Sequence, residues 1–170
     1  MKKWLIPVAA LFVVAIIALI TWKFVLKDPE HGSYKLYLVA MGDKGKQGSK
    51  VGCDDSLVPL ERKVVSDVHI TDVYQDIVDL HEPSYDDENG KQLSNPLYQS
   101  NLTYESAIID ANGVARVDLN GTLTYKDTCD ADRIKAQLEQ PARQFETVKS
   151  VDVRINDVDL QTLLKPAQNQ

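Results

Sequence analysis

The feature that most constrains this chain is an uncharged apolar run near its N-terminus, Trp4–Trp22. As a helix the run would be roughly 28 Å long, close to the ~30 Å hydrocarbon core of a bilayer. A tryptophan stands at each end, where amphipathic rings favour the membrane interface. A cleaved signal peptide is the alternative, but its apolar region is usually only about 7–15 residues long and ends in an A-x-A-like site. We therefore expect residues 1–27 to be a short cap and an uncleaved transmembrane anchor.

The lysines around this run predict its orientation. Lys2 and Lys3 precede it, which favours a cytoplasmic N-terminus, although Lys23 and Lys27 follow it and balance the count. Long domains are translocated largely regardless of charge. The expected product is a single-pass membrane protein whose C-terminal part is extracytoplasmic. That part would comprise a connector at 28–33, one domain at 34–165 and a polar tail at 166–170.

The predicted external part is acidic. Sixteen of the 19 Lys and Arg residues and all 25 Asp and Glu residues follow Lys23, which gives residues 24–170, the external part with the end of the anchor, a formal charge of −9. Negative charge repels the phosphates of nucleic acids and of anionic lipid headgroups. We therefore exclude nucleic acid as a partner and expect membrane contact only through the N-terminal helix. About 140 residues are enough for one hydrophobic core.

The chain has two cysteines, Cys53 and Cys129, and both lie in the predicted external part. Thiols are commonly oxidised outside the cytoplasm, so we expect a disulfide between them. In the chain-entropy model it would stabilise the fold by roughly 4 kcal/mol. Two unrelated reduced thiols are the alternative at this stage. Zinc is disfavoured, because the chain has no C-x-x-C or H-x-x-x-H pair to share a metal.

Hydrophobic periodicity predicts the first elements of the domain. Alternation at 34–40 indicates a strand, and four glycines among the polar residues of 42–52 indicate a long flexible loop. A helix is predicted from His69 and is ended by Pro83. Its apolar face would carry Ile70, Val73, Tyr74, Ile77, Val78 and His81. The stretch 82–100 has no periodicity and is predicted to be loop.

A β-hairpin is predicted around Asn112 and Gly113, which lie between two β-rich runs. This pair readily supplies positive φ at both central positions of a type I′ turn. One face of the second arm would be buried, through Ala115, Val117 and Leu119.

A second helix is predicted after Cys129, with Asp130 or Asp132 as its cap. Pro141 within its apolar stripe predicts a kink or an early end. The stripe would carry Ile134, Leu138, Pro141 and Phe145. A last strand is predicted at 148–155, followed by a closing helical turn with Leu160, Leu163 and Leu164. The apolar stripes of the two helices must be buried against another element. We therefore expect a single small sheet with helices on one face, which is a two-layer α+β sandwich.

The segment GCDDSLVP at 52–59 combines a thiol, a hydroxyl and two carboxylates, as a reaction site would. As a nucleophile, Ser56 would need a base and an oxyanion hole. The histidines of the external part are His31 in the connector and His69 and His81 near the first helix, and no G-x-S-x-G elbow is present. We therefore predict no enzyme, no catalytic residue and no cofactor.

Acidic residues cluster in sequence near both cysteines, at 54–55 and at 127–132. Calcium would need six or more oxygens in one shell, and the stretch DDENG lacks the later glutamate of an EF-hand loop. Solvated acids and helix caps are the simpler interpretation, so no metal ligand is predicted. The expected role of the GCDDSLVP segment is structural. Gly52 would allow a tight turn, Cys53 would tie the loop to the second helix, and Pro59 would limit edge pairing.

The chain also resembles GerMN-domain proteins, exported or membrane-anchored bacterial domains named after a spore-germination and sporulation protein. The most specific matching pieces are GCDDSLVP and the run CDADRIKAQL at the start of the second helix. They contain Gly52, Cys53, Asp55, Ser56, Pro59 and Arg133. The resemblance implies a βαββαβ fold similar to the ring-building motifs of secretion-system platforms. It also implies a non-catalytic envelope role, often in protein assembly.

Two functions are therefore expected. The first is an anchored extracytoplasmic interaction domain for envelope or complex assembly, with a protein partner or with copies of itself. The alternative is a cell-surface ligand-binding or sensor module for a cell-wall fragment or calcium. An exposed apolar patch or an unpaired sheet edge would favour the first. A deep pocket lined by converging polar groups would favour the second.

Overall fold

A computed structural model describes residues 32–65 and 67–165. The predicted anchor at 1–27, most of the connector and the tail at 166–170 lie outside these residues. Among the helices that the structure does describe, none has the length and apolarity that a membrane span needs. Gly32 and Ser33, which were predicted to end the connector, begin the first strand instead.

The described residues form two sheets, three α-helices and two 3₁₀ helices. The first sheet has the order β2-β3-β1-β5-β4. Its strands are β1 (Gly32–Ala40), β2 (Ser49–Val51), β3 (Asp55–Val64), β4 (Ser84–Asp86) and β5 (Gln92–Ser94). The second sheet has the order β6-β7-β8-β9. Its strands are β6 (Asn101–Ile109), β7 (Val114–Thr122), β8 (Ser150–Ile155) and β9 (Val158–Asp159). The α-helices are α1 (Ile70–Val78), α2 (Thr128–Glu139) and α3 (Leu160–Leu163), and the 3₁₀ helices span Pro96–Gln99 and Gln140–Gln144.

The α+β class is confirmed, but the prediction of a single sheet is wrong. β1 does not join the sheet of the β6–β7 hairpin. It pairs antiparallel with β3 along nine residues, from Gly32↔Val64 to Ala40↔Ser56. The physical reason is that β3 is as long as β1 and follows it closely in the chain, so the two strands satisfy each other's backbone hydrogen bonds.

The second sheet is built as its sequence pattern predicted. β6 and β7 form the hairpin, and α2 connects β7 to β8, which pairs parallel to β7 from Val114↔Ser150 to Leu119↔Ile155. The inner residues of β7 are buried, as are Ile134 and Leu138 of α2. The two longer helices are joined by a hydrogen bond of 2.6 Å from the Tyr74 hydroxyl to the Leu138 carbonyl oxygen. Both sheets and both helices contribute to one apolar core.

Helix α1 follows its predicted stripe only in part. Ile70, Val73, Tyr74 and Ile77 are buried. Val78 is half-buried, and His81 is exposed and lies beyond the helix, which ends at Val78. The prediction that His81 shares the apolar face is therefore wrong, because the helix ends before its third turn brings that position onto the face.

Helix α2 ends at Glu139, just before Pro141, as predicted. The predicted N-cap, Asp130 or Asp132, is wrong, because the residue that caps the helix is Asp127. The Asp127 carboxylate accepts a hydrogen bond of 2.9 Å from the backbone N–H of Asp130, so Asp130 itself lies inside the first turn. The closing turn is present as α3, capped by Asp159 with Leu160 buried.

The stretch 82–100 is not a structureless loop. It contains the β4–β5 hairpin and the first 3₁₀ helix. Each strand has only three residues, which is too short for alternation to be recognised. Leu93 of β5 is fully buried and attaches this hairpin to the core.

The β6–β7 hairpin exists, but its predicted type I′ turn is wrong. Gly113 has φ +84°, whereas Asn112 does not have positive φ. The turn begins at Asp110, whose carbonyl oxygen accepts from the Gly113 N–H at 3.0 Å. This is a type I turn followed by one left-handed glycine. Two consecutive non-glycine residues with positive φ occur instead at Asn156-Asp157, between β8 and β9, and at Cys53-Asp54.

Candidate functional site

The GCDDSLVP segment forms the corner between β2 and β3, which we call the cysteine corner (residues 52–59). Cys53 and Asp54 both have φ near +60°, and the Asp55 N–H points to the Gly52 carbonyl oxygen at 3.4 Å. This is the geometry of a type I′ turn with Cys53 and Asp54 at its centre. Aspartate tolerates positive φ, but cysteine rarely adopts it, so other contacts must hold Cys53 in this conformation.

Gly52 is required for a different reason than predicted. Its own φ is not positive. A Cβ built on Gly52 would lie 3.0 Å from Cγ of Asp132 and closer still to the carboxylate of that residue. Glycine at this position therefore permits the close approach of helix α2 to the corner.

Cys53 and Cys129 lie at disulfide-bonding distance, with their Cα atoms 5.7 Å apart across 76 positions of sequence. The predicted meeting of the two cysteines is confirmed. Cys53 is exposed and Cys129 is half-buried. The bond links the centre of the corner turn to the first turn of α2, and it restrains the left-handed backbone of Cys53.

Asp55 and Arg133 form a second link between the corner and α2. The Arg133 Nε donates to Asp55 Oδ2 at 2.6 Å, and the Arg133 Nη1 donates to Asp130 Oδ1 at 2.7 Å. The Asp55 and Arg133 side chains are only 2% and 11% exposed. The other Asp55 oxygen accepts from the Gly42 N–H at 2.6 Å. Both oxygens of this carboxylate are thus occupied by structural contacts.

The charge of Arg133 is secured by these carboxylates. Burial alone would lower the pKa of Arg133, but the hydrogen bonds from its guanidinium to Asp55 and Asp130 outweigh burial and raise it. A buried charge is tolerated only when it is paired and hydrogen-bonded, as it is here. The resemblance-derived positions Asp55 and Arg133 therefore belong to one contact, which their spacing in the sequence alone did not reveal.

Ser56 is fully buried and donates its hydroxyl hydrogen to the carboxylate of Asp43. Asp43 also accepts from the backbone N–H groups of Gly45 at 3.1 Å and of Gln47 at 2.9 Å. Chiefly because of the bond from Ser56, the pKa of Asp43 falls to about 2. A carboxylate so acidic is a poor general base at neutral pH.

The Asp43 contacts also organise the loop between β1 and β2, which was predicted to be flexible. Sequence analysis missed Asp43 as part of the corner. The available signal was its position next to Gly42 and Gly45, because Asp in a glycine-rich segment commonly bonds to the backbone two residues on. The two described histidines, His69 and His81, are exposed, and neither is hydrogen-bonded to Ser56.

Pro59 lies on the exposed outer half of β3, as predicted for a residue at an edge. β2 pairs with β3 only up to Leu57, so Pro59 lies beyond the part of β3 that β2 covers. A proline has no N–H to offer a further strand. Asn112 and Gly113 are exposed at the tip of the β6–β7 hairpin and are not part of the corner.

Two of the surface clefts near the corner are lined in part by helix α2. The first, the Tyr98 cleft, has a volume of about 400 Å³ and is lined by Met41, Asn95, Pro96, Tyr98 and Arg133 among others. The second lies between the corner and α2, has a volume of about 320 Å³, and carries Lys50, Lys135, Glu139 and Arg143. The described residues contain no group of three or more His, Cys, Asp or Glu side chains arranged to hold a metal ion.

The polar groups of the Tyr98 cleft are largely occupied by the protein itself. Asn95 donates to the carbonyl oxygens of Leu80 at 2.8 Å and Glu82 at 3.0 Å. Its own oxygen accepts from Gln137 at 3.0 Å and from the Leu97 N–H at 3.2 Å. With Arg133 engaged by two carboxylates, the cleft offers few groups free to bind a ligand.

No family model matches the chain, and no curated protein matches it. A similar solved structure is that of the tandem GerMN domains of the sporulation protein GerM from Bacillus subtilis. The identity is 14% and the TM-score 0.49, and the similarity covers 74% of this chain and 39% of that one. A similarity of this size does not establish a family or a function.

Proposed function

We propose that the protein is a membrane-anchored, extracytoplasmic interaction domain without catalytic activity, and that it takes part in the assembly of a complex in the cell envelope. The anchor and the orientation rest on Trp4–Trp22 and its flanking lysines. The absence of catalysis rests on the cysteine corner, whose Asp55, Ser56 and Arg133 are all engaged in structural contacts. As a more specific description of the fold, we propose that the segment α1–β6–β7–α2–β8 corresponds to the part of a βαββαβ domain that is similar to a ring-building motif.

The observation that carries the interaction role is the outer edge of β6. β6 is nine residues long and lies at the end of the second sheet. Among the described residues, no hydrogen bond joins the backbone of 101–109 to anything except β7. Such an edge presents a row of donors and acceptors on which another strand can pair.

Other sheet edges of the molecule are protected. The strands β2, β4 and β9 have only three, three and two residues. The outer half of β3 carries Pro59 and the charged run 61–63. The Gln144 side chain covers the edge of β1 by bonding to the N–H and carbonyl oxygen of Lys35 at 2.8 and 3.1 Å. Short strands, prolines, charges and β-bulges are the usual means of preventing edge pairing. β6 carries neither Pro nor Lys, although Glu105 lies at a bulge in it and helix α1 packs against it.

A ligand-binding or sensor role is the second candidate, and the Tyr98 cleft is the observation that favours it. The cleft is large enough for a small molecule and has Met41 and Tyr98 exposed at its rim. Most of its inner polar groups already have protein partners, which makes it a weaker candidate than the β6 edge.

Site-specific photo-cross-linking in native membranes tests the proposal. A photoreactive residue at Ile108, on the β6 edge, is compared with one at Arg116 on the outer face of the same sheet and with a control at Gln75, an exposed position on α1. We expect Ile108 to capture a protein that mass spectrometry identifies, and Gln75 to capture none. If neither Ile108 nor Arg116 captures any protein, the interaction role is wrong. Capture of a small molecule by a probe at Met41 would favour the sensor role instead.

A further inference from the structure

We propose that Asn89, at the tip of the β4–β5 hairpin, is a site of spontaneous deamidation. The reaction converts its side-chain amide to a carboxylate and, in part of the product, routes the main chain through the side chain, which gives isoaspartate. Asparagine is among the residues that are chemically labile in water and heat. The inference depends on the folded domain alone and not on the proposed interaction role.

Deamidation of an asparagine uses the backbone nitrogen of the residue that follows it. That nitrogen gives up its proton and attacks the side-chain Cγ, so an N–Cγ bond forms and the Cγ–Nδ2 bond breaks. The side-chain nitrogen takes up a proton and leaves as ammonia. Water then opens the resulting cyclic succinimide at either carbonyl, to give aspartate or isoaspartate. A following glycine favours the attack, because it has no Cβ to obstruct its nitrogen and lets the backbone rotate freely.

The chain has three such pairs, Asn89-Gly90, Asn112-Gly113 and Asn120-Gly121. In each pair the glycine N–H donates a hydrogen bond in the folded state. The acceptors, in the same order, are the Asp87 carbonyl oxygen at 2.9 Å, the Asp110 carbonyl oxygen at 3.0 Å and the Asn156 side-chain oxygen at 2.9 Å. The attack therefore requires the turn or strand to open, so the rate at each pair depends on the free energy of that local opening.

The turn that contains Asn89 is attached to the rest of the domain only at its base. Within the described chain, every hydrogen bond of residues 87–91 joins two residues of this same turn. Asn89 and Gly90 are exposed, and a Cβ built on Gly90 would meet nothing within 4 Å. β4 and β5 have only three residues each, and the buried Leu93 holds the base of the hairpin in the core. The tip can therefore open at a small cost in free energy.

The turn that contains Asn112 is tied to the second sheet. The Gly113 carbonyl oxygen accepts from the N–H groups of Lys149 at 2.8 Å and Ser150 at 3.3 Å, where β8 begins. A Cβ built on Gly113 would lie 2.6 Å from the Thr147 carbonyl oxygen, so another segment packs directly on the turn. Opening this turn breaks contacts with a neighbouring strand, and it therefore costs more free energy than opening the tip at Asn89.

Asn120 and Gly121 lie within β7 and not in a turn, and both are paired with β6. The Asn120 side-chain amide donates to the Glu105 carboxylate at 3.0 Å, and the Gly121 carbonyl oxygen accepts from the Asn156 side chain at 2.7 Å. Deamidation here would require β7 to separate locally from β6. The three pairs are equivalent in sequence, and the fold leaves Asn89 as the reactive one.

Deamidation would change both the charge and the length of the hairpin tip. Asp86, Asp87 and Glu88 precede Asn89, so the product has four consecutive carboxylates, which repel one another. Isoaspartate also adds a carbon to the main chain of the turn, whose closing bond runs from the Asp87 N–H to the Lys91 carbonyl oxygen at 2.8 Å. We therefore expect modified molecules to have a looser tip on an unchanged core.

Peptide mapping of aged protein tests the inference. The full-length chain, purified in detergent, is kept in mildly alkaline buffer for several days and then digested with trypsin. Trypsin separates the three pairs, because Lys91 and Arg116 lie between them. Mass spectrometry follows the conversion of amide to carboxyl in each peptide, and chromatography separates isoaspartate from aspartate. We expect Asn89 to deamidate at least about tenfold faster than Asn112 and Asn120, because its turn opens most easily.

The same mapping in concentrated urea is the control. In the unfolded chain the three glycine N–H groups are free, so we expect the three rates to lie within a few-fold of one another. Equal rates in the folded protein, or a faster reaction at Asn112 or Asn120, would overturn the inference. An Asn89 that reacts in urea but stays intact in the folded protein would overturn it as well.

Two matched alanine variants test whether local opening controls the rate. The Asp87 carboxylate accepts from the N–H groups of Asn89 and Lys91 at 2.8 Å and so holds the turn closed. We expect Asp87→Ala to speed deamidation at Asn89 a few-fold and to leave Asn112 unchanged. Asp110→Ala removes the equivalent bonds around Asn112, which should still react more slowly than Asn89, because the bonds at the start of β8 remain. An unchanged rate at Asn89 in Asp87→Ala would contradict control by opening of this turn.

Discussion

The contact between Asp55 and Arg133 shows why the cysteine corner is structural. Its atoms are close, at 2.6 Å, and almost fully removed from solvent. Removing one partner of such a pair leaves an uncompensated buried charge, which costs far more than the loss of a surface ion pair. The corner is therefore maintained by electrostatics as well as by the disulfide.

Replacing Arg133 with methionine tests this point. We expect Arg133→Met to lower the free energy of unfolding by about 3–5 kcal/mol, because Asp55 would keep its burial and lose its counter-charge. The matched control is Arg154→Met. Arg154 pairs with Asp152 at 3.0 Å, but its side chain is 46% exposed, so the expected loss is below about 1 kcal/mol. Urea unfolding followed by circular dichroism measures both, and equal losses would contradict a structural role for the Asp55–Arg133 contact.

The hydrogen bonds of Asp43 predict a pH effect. The folded pKa of Asp43, about 2, is lower than the usual value of 3.8 that an unfolded chain would show. The folded state therefore binds this proton less readily, and the stabilisation is fully present above about pH 4. It is lost as the pH falls from about 4 through 2.

Asp43→Asn should accordingly flatten the dependence of stability on pH between about 4 and 2. Ser56→Ala removes the largest contribution, so it should move the pKa of Asp43 back toward its ordinary value. Carboxyl carbon NMR measures that pKa in the folded protein. An unchanged pKa in Ser56→Ala would show that the buried hydroxyl does not stabilise the carboxylate.

At the scale of elements, two hairpin turns share one design. In Asp87-Glu88-Asn89-Gly90 and in Asp110-Ala111-Asn112-Gly113, the aspartate carboxylate accepts from the N–H groups two and four residues on, at 2.8–2.9 Å. Both turns end in a glycine with positive φ. The sequence signal is D-x-N-G, and the aspartate explains why the Asn112-Gly113 pair forms a type I turn here and not the type I′ turn that was predicted.

These two turns provide a controlled pair of glycine substitutions. A Cβ at Gly90 would meet nothing within 4 Å, whereas one at Gly113 would lie 2.6 Å from the Thr147 carbonyl oxygen. Both glycines have similar positive φ, so both alanine variants carry the left-handed cost of about 1–2 kcal/mol. We expect Gly113→Ala to lose clearly more stability than Gly90→Ala in thermal unfolding. Equal losses would show that only the backbone angle matters at Gly113.

The elements that could be predicted from the sequence are those long enough to show a hydrophobic period. Helices α1 and α2 and the strands β6, β7 and β8 are of this kind, and their buried faces follow the predicted pattern. β2, β4 and β5 have three residues each and show no period. The division into two sheets depends on the partner that β1 takes, which is a non-local choice that no pattern along one strand can show.

The candidate site also has a part that the sequence predicts and a part that only the fold reveals. The two cysteines were paired from their number and compartment, because with two there is only one possible bond. The contacts of Arg133 with Asp55 and of Asp43 with Ser56 join residues that are distant in sequence or separated by a loop, so only the fold reveals them. The left-handed backbone of Cys53 was equally invisible, since cysteine does not favour it, although Asp54 is of a type that tolerates positive φ.

For the whole molecule, the proposed compartment and the proposed non-catalytic role are both linked to the disulfide. A domain held outside the cytoplasm by the 1–27 anchor would be in oxidising surroundings, where a bond between Cys53 and Cys129 persists. That bond holds the β2–β3 turn against helix α2 across 76 positions of sequence and would stabilise the fold by about 4 kcal/mol in the chain-entropy model. On this cross-linked frame, β6 is the surface that we propose for a protein partner.

Peptide mapping of the full-length protein from its native membrane tests this view most directly. Free thiols are blocked before extraction, the protein is digested without reductant, and the peptides are identified by mass spectrometry. We expect the peptide containing Cys53 to be recovered joined to the peptide containing Cys129, and to separate from it on reduction. Recovery of both cysteines in the blocked, unlinked form would contradict an oxidised extracytoplasmic domain in which a disulfide joins the cysteine corner to helix α2.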